Sequence, residues 1–238
     1  MSVEFIPAAH VRDVLARIEE ARRRALARFG VTPPSPDARY WEPLFEANAA
    51  EVLAAVPAVT LPPGFVVRYR FFEQRGRDLL VRPFVARAQT DVDTIRQLLD
   101  WHAPPDSVAS ILAQGPTQDA SLLYQHFAFP HTAEGFFDYW LVMQELWASG
   151  RWAHSHVIAS AAELSQITAA EGWEVMHPVE TYEPAVVRGD AGARLAVLIQ
   201  CPLERFSITL EQIDIGADQS LRYAEPVYVA SGPRGYLL

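Results

Sequence analysis

The sequence predicts an α+β fold, helix-rich in an N-terminal half that contains a β-hairpin, with a mostly antiparallel sheet in the C-terminal half. Three observations predict it. Apolar residues recur at helical spacing over residues 8–29 and 132–150. A turn-joined pair of β-rich runs covers 65–87. Beyond Gly150 short alternating runs separated by turn residues take over. With 238 residues the chain is long enough to bury a sizeable core. Because the hairpin lies inside the helical half and no linker follows it, residues 1–238 are expected to form one intertwined domain.

In AAHVRDVLARIEEARRRALARF, Val11, Val14, Leu15, Ile18, Ala25, Leu26 and Phe29 share one side with charges between them, an amphipathic helix ending at Gly30. Prolines in VTPPSPDA break the chain, and a second helix follows from about Tyr40 to Val56. The stretch FVVRYRFFEQRGRDLLVRPFVAR reads as a hairpin turning at EQRGRD. Phe65, Val67, Tyr69 and Phe71 lie on one face, and Arg68 and Arg70 on the other beside Arg82. Helical patterns are expected from Thr90 to Leu99 and around Ser107–Ala113.

TAEGFFDYWLVMQELWASG, residues 132–150, is the most hydrophobic helix, with little circumference left for water. Ser160 and Glu163 form a capping box that starts a helix at about 161, closed by Gly172, so WAHSHVIA before it is expected to be extended. EVMHPVETYEPAVV, ARLAVLIQC, RFSITLEQIDI and PVYVA read as strands. The clean alternation of RFSITLE predicts one covered and one wet face.

Composition excludes several chemistries. All twenty cationic residues are arginine. Without lysine there is no Schiff base, no pyridoxal phosphate attachment and no Walker-loop nucleotide site. A net charge of -9 argues against broad nucleic-acid binding. No apolar run reaches the roughly 18 residues of a membrane span, so no membrane insertion is expected. The N-terminus lacks a signal pattern, which makes a cytoplasmic location the expectation. The single Cys201 sits in an apolar run and allows no internal disulfide. There is no GxSxG, HExxH, GxGxxG or EF-hand pattern.

One constellation carries chemistry. In an extended WAHSHVI, His154 and His156 project from the same face and can share one divalent ion if further ligands converge. Glu134, Asp138 and Glu145 fall in one sector of the 132–150 helix, with His131 at its edge. That acidic stripe is either the water-facing side or a source of ligands. A tight corner at Gly150 would bring Glu145 nearest the histidines. His10, His102 and His177 have no acidic neighbour at useful spacing and read as structural.

The primary reading is a non-catalytic cytoplasmic protein that binds a protein partner or a small ligand and is free to form a homo-oligomer. An alternative is a metal-dependent hydrolase using His154, His156 and a carboxylate such as Glu145, with His131 and Asp138 as further candidate ligands; a divalent metal is the one cofactor the residues admit. A third is an anion-binding module on the arginine face of Arg68, Arg70 and Arg82.

Overall fold

The computed structural model describes residues 3–29, 41–72, 80–89, 120–121, 126–148, 156–179, 182–201 and 205–234. The fold is α+β, with the helices mostly in the N-terminal half and a large antiparallel sheet in the C-terminal half. The helical patterns expected at 90–99 and 107–113 lie outside the described residues.

Two compact units interleave along the chain. One comprises residues 1–17, 129–141 and 151–238, and the other residues 18–128 and 142–150. Helix α1 (Ala8–Phe29) contributes to both. Its buried positions, Val11, Val14, Ile18, Ala21 and Ala25, step by three and four residues, as an apolar stripe on a 3.6-residue helix requires. Helix α3 (Ala133–Ala148) is also shared. Phe136, Phe137, Tyr139, Trp140, Leu141, Val142, Met143 and Leu146 are all buried, so the helix is enclosed nearly all round, as its composition predicts. Thr132 caps its start, accepting the Gly135 N–H on its hydroxyl at 3.1 Å.

In the second unit, α2 (Trp41–Ala55) is followed by the predicted hairpin of β2 (Phe65–Phe72) and β3 (Leu80–Arg87), with β4 (Ala120–Ser121) on its edge. Tyr69 packs against Phe45 of α2 with ring centroids 5.6 Å apart, and its hydroxyl donates to the Leu146 carbonyl at 3.0 Å. The apolar face of the hairpin is therefore turned inward.

The sheet of the first unit is built on one long ribbon. Strands β8 (Gly192–Cys201) and β9 (Arg205–Gly216) pair from Gly192 opposite Gly216 to Cys201 opposite Ser207. Two strands share the free edge of β8: β7 (Ala185–Gly189) pairs with its first half and β5 (His156–Ile158) with its second. Likewise β10 (Leu221–Tyr223) pairs with 213–215 of β9 and β11 (Val227–Arg234) with 205–210. Strand β1 (Val3–Phe5) extends the sheet beyond β7, and β6 (Glu174–Val175) extends it beyond β11. All these pairs are antiparallel.

The capping box starts α4 (Ala161–Thr168) as expected: the Glu163 N–H donates to Ser160 Oγ at 3.3 Å. Leu164 of this helix joins Ile158, Leu198, Ile208, Val229 and Ala230 in one buried cluster. The expectation of one wet face for RFSITLE is corrected here, because Ile208 and Thr209, which project to opposite faces, are both buried. The cluster that α4 joins covers the Ile208 side.

The β7–β8 turn needs its glycine. Gly192 has φ +135°, and a Cβ on it would stand 2.0 Å from the Ile215 carbonyl oxygen, whereas a Cβ on Gly189 would meet nothing closer than 3.9 Å. Gly192→Ala is expected to lower unfolding stability by at least about 2 kcal/mol, and Gly189→Ala by less than about 1 kcal/mol. Urea denaturation midpoints check this, and equal effects would contradict it.

Candidate functional site

Helix α3 carries two acids into the interior. Asp138 is 4% exposed and Glu145 0%. The water-facing explanation of the acidic stripe is therefore corrected: these two positions fall on a helix with almost no solvent side. A buried carboxylate requires a partner, and each has its own. Asp138 Oδ1 lies 2.8 Å from His10 Nε2 on α1. Glu145 is gripped by the Arg22 guanidinium in a two-point fork, with Nε donating to Oε2 at 2.8 Å and Nη2 donating to Oε1.

Burial pushes both carboxyls above their ordinary range, opposed by His10 and Arg17 at Asp138 and by Arg22 at Glu145. Burial likewise pushes the Tyr69 phenol up, assisted by the charges of Glu145 and Glu46. His10, which local spacing left without an acidic neighbour, thus has one 128 residues away.

The candidate metal ligands are distributed as follows. His156 lies on β5, exposed, with Nε2 bonded to Glu163 Oε1; Glu163 Oε2 accepts the Ala159 N–H at 2.8 Å. The capping carboxylate of α4 is therefore also the histidine's partner. His131 is exposed and stacks on Phe136, with centroids 5.6 Å apart. His154 lies outside the described residues. His131, Asp138 and His156 belong to the first unit and Glu145 to the second. Among the described residues no group of three or more His, Cys, Asp or Glu side chains is disposed to hold a metal ion.

On the hairpin, Arg70 stands directly opposite Arg82, the register the sequence predicts; their side chains lie outside the described residues. Arg68 donates to Glu46 Oε2 at 2.9 Å and to the Ala88 carbonyl at 3.3 Å. Its charge is matched within the unit.

Two surface features of the sheet remain. A shallow concavity of about 830 Å³ lies at the β7–β8 and β9–β10 turns, lined by Gly189, Gly192, Gly216, Arg194, Asp214 and Arg222. Arg194 spans the ribbon to Asp214 at 2.6 and 3.0 Å, and that hydrogen bonding holds the Asp214 carboxyl below its ordinary range. The second feature is apolar. Every large exposed hydrophobic side chain among the described residues belongs to the first unit: Val3 and Phe5 on β1, and Val175, Met176, Tyr223, Val227 and Tyr228 on or beside β6, β10 and β11. The sequence pattern assigns Glu174 and Val175 to one strand with 185–187 and Val227–Ala230 to another; the structure splits the first into β6 and β7, adds β10 at the unassigned Leu221–Tyr223, and places β6 beside β11, a pairing the pattern does not give. No protein family matches the chain, and neither does any curated protein sequence or solved structure.

Two outcomes follow from the buried acids. Arg22→Leu leaves Glu145 buried without its counterion and is expected to cost about 3–5 kcal/mol, while the double change Arg22→Met with Glu145→Leu restores most of that loss. A single variant within about 1 kcal/mol of the parent in urea titration would contradict the pairing. Asp138 keeps its proton to higher pH when folded than when unfolded, so the native state binds the extra proton between those two values. This group's contribution is present below the ordinary carboxyl value of about 4 and is lost as pH rises through the raised one. Stability of the parent minus that of Asp138→Asn, measured by urea titration, should fall across that interval; a rise would contradict the assignment.

Proposed function

We propose that the protein is a non-catalytic binding protein whose partner is another polypeptide, held by the β6–β11–β10 end of the C-terminal sheet. The observation that carries this reading is the concentration there of Val175, Met176, Tyr223, Val227 and Tyr228, each more than two-fifths exposed. Exposed apolar and aromatic side chains are costly to leave in water and are characteristic of contact surfaces; here Tyr223 and Tyr228 lie on one face of the sheet end and Val175 and Val227 on the other. Tyrosine suits such a role because it offers a large rigid ring together with a hydroxyl.

The distribution of titratable groups supports a non-catalytic role. The acids and bases of the interior are engaged with one another, His10 with Asp138 and Arg22 with Glu145, and the exposed His156 is engaged with Glu163. A hydrolase using Glu145 or Asp138 as a metal ligand would have to take that carboxylate from its existing cation. The arginine reading meets the same obstacle at Arg68, which already holds Glu46.

A photoreactive phenylalanine analogue placed at Tyr228, in the cells that naturally make the chain, should form adducts with a small set of polypeptides. The same analogue at the exposed Ser165 of α4 should not. Equal yields from both positions, or none from Tyr228, would overturn the reading.

A further inference from the structure

We infer that β1 is the seam of a symmetric homodimer, in which a second copy of this chain lays its own β1 antiparallel against the outer edge and joins two eight-stranded sheets into one. The seam is independent of the contact proposed above, because β1 and β6 stand at opposite ends of the strand order. The hydrogen-bond parity of β1 carries the argument. The Ile6 N–H donates to the Pro184 carbonyl at 2.8 Å, and Glu4 stands opposite Val186 on the same ladder. In an antiparallel pair, residues that exchange hydrogen bonds with their neighbour alternate with residues that do not. The backbone groups of Glu4 and Ile6 therefore turn toward β7, and those of Val3 and Phe5 turn away from it.

Among the described residues no strand lies beyond β1 to receive those outward groups. The side chains are open as well: Val3 is 56% and Phe5 51% exposed, both on the face that carries Val187 and Ala185 of β7. Natural edge strands are blunted by charge, proline or a bulge. Here the one charge is already matched, since Arg188 donates to Glu4 Oε1 from Nε at 2.7 Å and from Nη2. The residues on either side of it are apolar.

The edge is complementary to itself. A two-fold axis at Glu4 sets Val3 of each copy opposite Phe5 of the other, and both members of each pair have outward backbone groups, so each pair closes the double hydrogen bond of an antiparallel ladder. This register engages both outward residues of each copy, whereas a slip of one residue sets outward groups against inward ones. The facing side chains are an aromatic and a β-branched residue, a favourable cross-strand combination. The two Glu4 side chains that meet at the axis each bring their own Arg188, so no unmatched acid enters the seam. The net charge of -9 on each copy opposes association at longer range, which makes the dimer weak and its affinity higher in salt.

Sedimentation equilibrium of the full chain, from about 10 μM to about 1 mM, should show monomer passing into dimer, with an association at least about twofold tighter in 0.5 M than in 0.05 M sodium chloride. Phe5→Lys should weaken the dimer at least about tenfold. Val3→Pro removes an outward N–H and none of the bonds to β7, and should weaken it at least about fivefold. Val175→Lys, on the strand at the other end of the order, should change it by less than about 1.5-fold. Amide hydrogen exchange reads the same seam without substitution: Val3 and Phe5 should exchange fast in the dilute chain and slowly in the concentrated one, while Ile6 stays protected in both. A monomer throughout the range, a dimer as sensitive to Val175→Lys as to Phe5→Lys, or Val3 and Phe5 amides indifferent to concentration would overturn the inference. A photoreactive phenylalanine analogue at Phe5 that joins the chain to other polypeptides in place of itself would overturn it in favour of strand addition by a different partner.

Discussion

The pairing of β8 with β9 is the constraint on which the C-terminal unit depends. A ribbon of this length offers two edges, each longer than any strand available to cover it, and the chain covers each edge with two strands in tandem. Long paired strands also twist, so one flat layer cannot cover a whole face. The buried cluster that α4 joins covers the Ile208 side, while Ile213 and Ile215, on the other face, are buried elsewhere. Tandem coverage leaves a seam where the first strand ends and the second begins. On the β9 edge the connector 224–226 bridges that seam, with the Ala224 N–H donating to the Gln212 carbonyl at 2.9 Å, and the half-exposed Tyr223 and Tyr228 stand on either side of it.

The interior follows a different rule. Helix α3 buries two carboxylates among aromatic and aliphatic side chains, an arrangement that gains less stability than apolar replacement would and is severely weakened if one member of a pair is lost. Each acid is met by a base from α1, His10 in the first unit and Arg22 in the second. A charged pair of this kind penalises any alternative packing in which the acid would meet only hydrocarbon. With no lysine in the chain, the fork at Glu145 is necessarily arginine, which matches a carboxylate at two points and loses less conformational freedom in doing so.

Much of the architecture was legible in the sequence because it is written in local periodicity. The stripe of α1, the enclosed α3, the hairpin turning between Phe72 and Leu80, and the capping box of Ser160 and Glu163 are each decided by residues within a few positions of one another. The candidate site was less legible. Pairings across 123 and 128 residues leave no mark on spacing, so Glu145 and Asp138 looked like either solvent-facing acids or ligands. Strands of three residues such as β1 and β10 are too short to show alternation and are formed by the neighbour they pair with, and the single strand read over 174–187 is in fact two, β6 and β7, on different neighbours. Since β6, β10 and β11 carry the exposed apolar side chains, the surface became visible only once the register was known.

The central claim is that a polypeptide partner is held at the β6–β11–β10 end of the C-terminal sheet. Amide chemical-shift mapping of the ¹⁵N-labelled chain, titrated with the polypeptide recovered from the Tyr228 photoadducts, tests it most directly. The account predicts that the largest shifts fall at Tyr223 and Tyr228, with the β7–β8 turn unaffected. Shifts centred on Asp190–Gly192 and the Arg194–Asp214 pair, or spread evenly over the acidic surface, would contradict it.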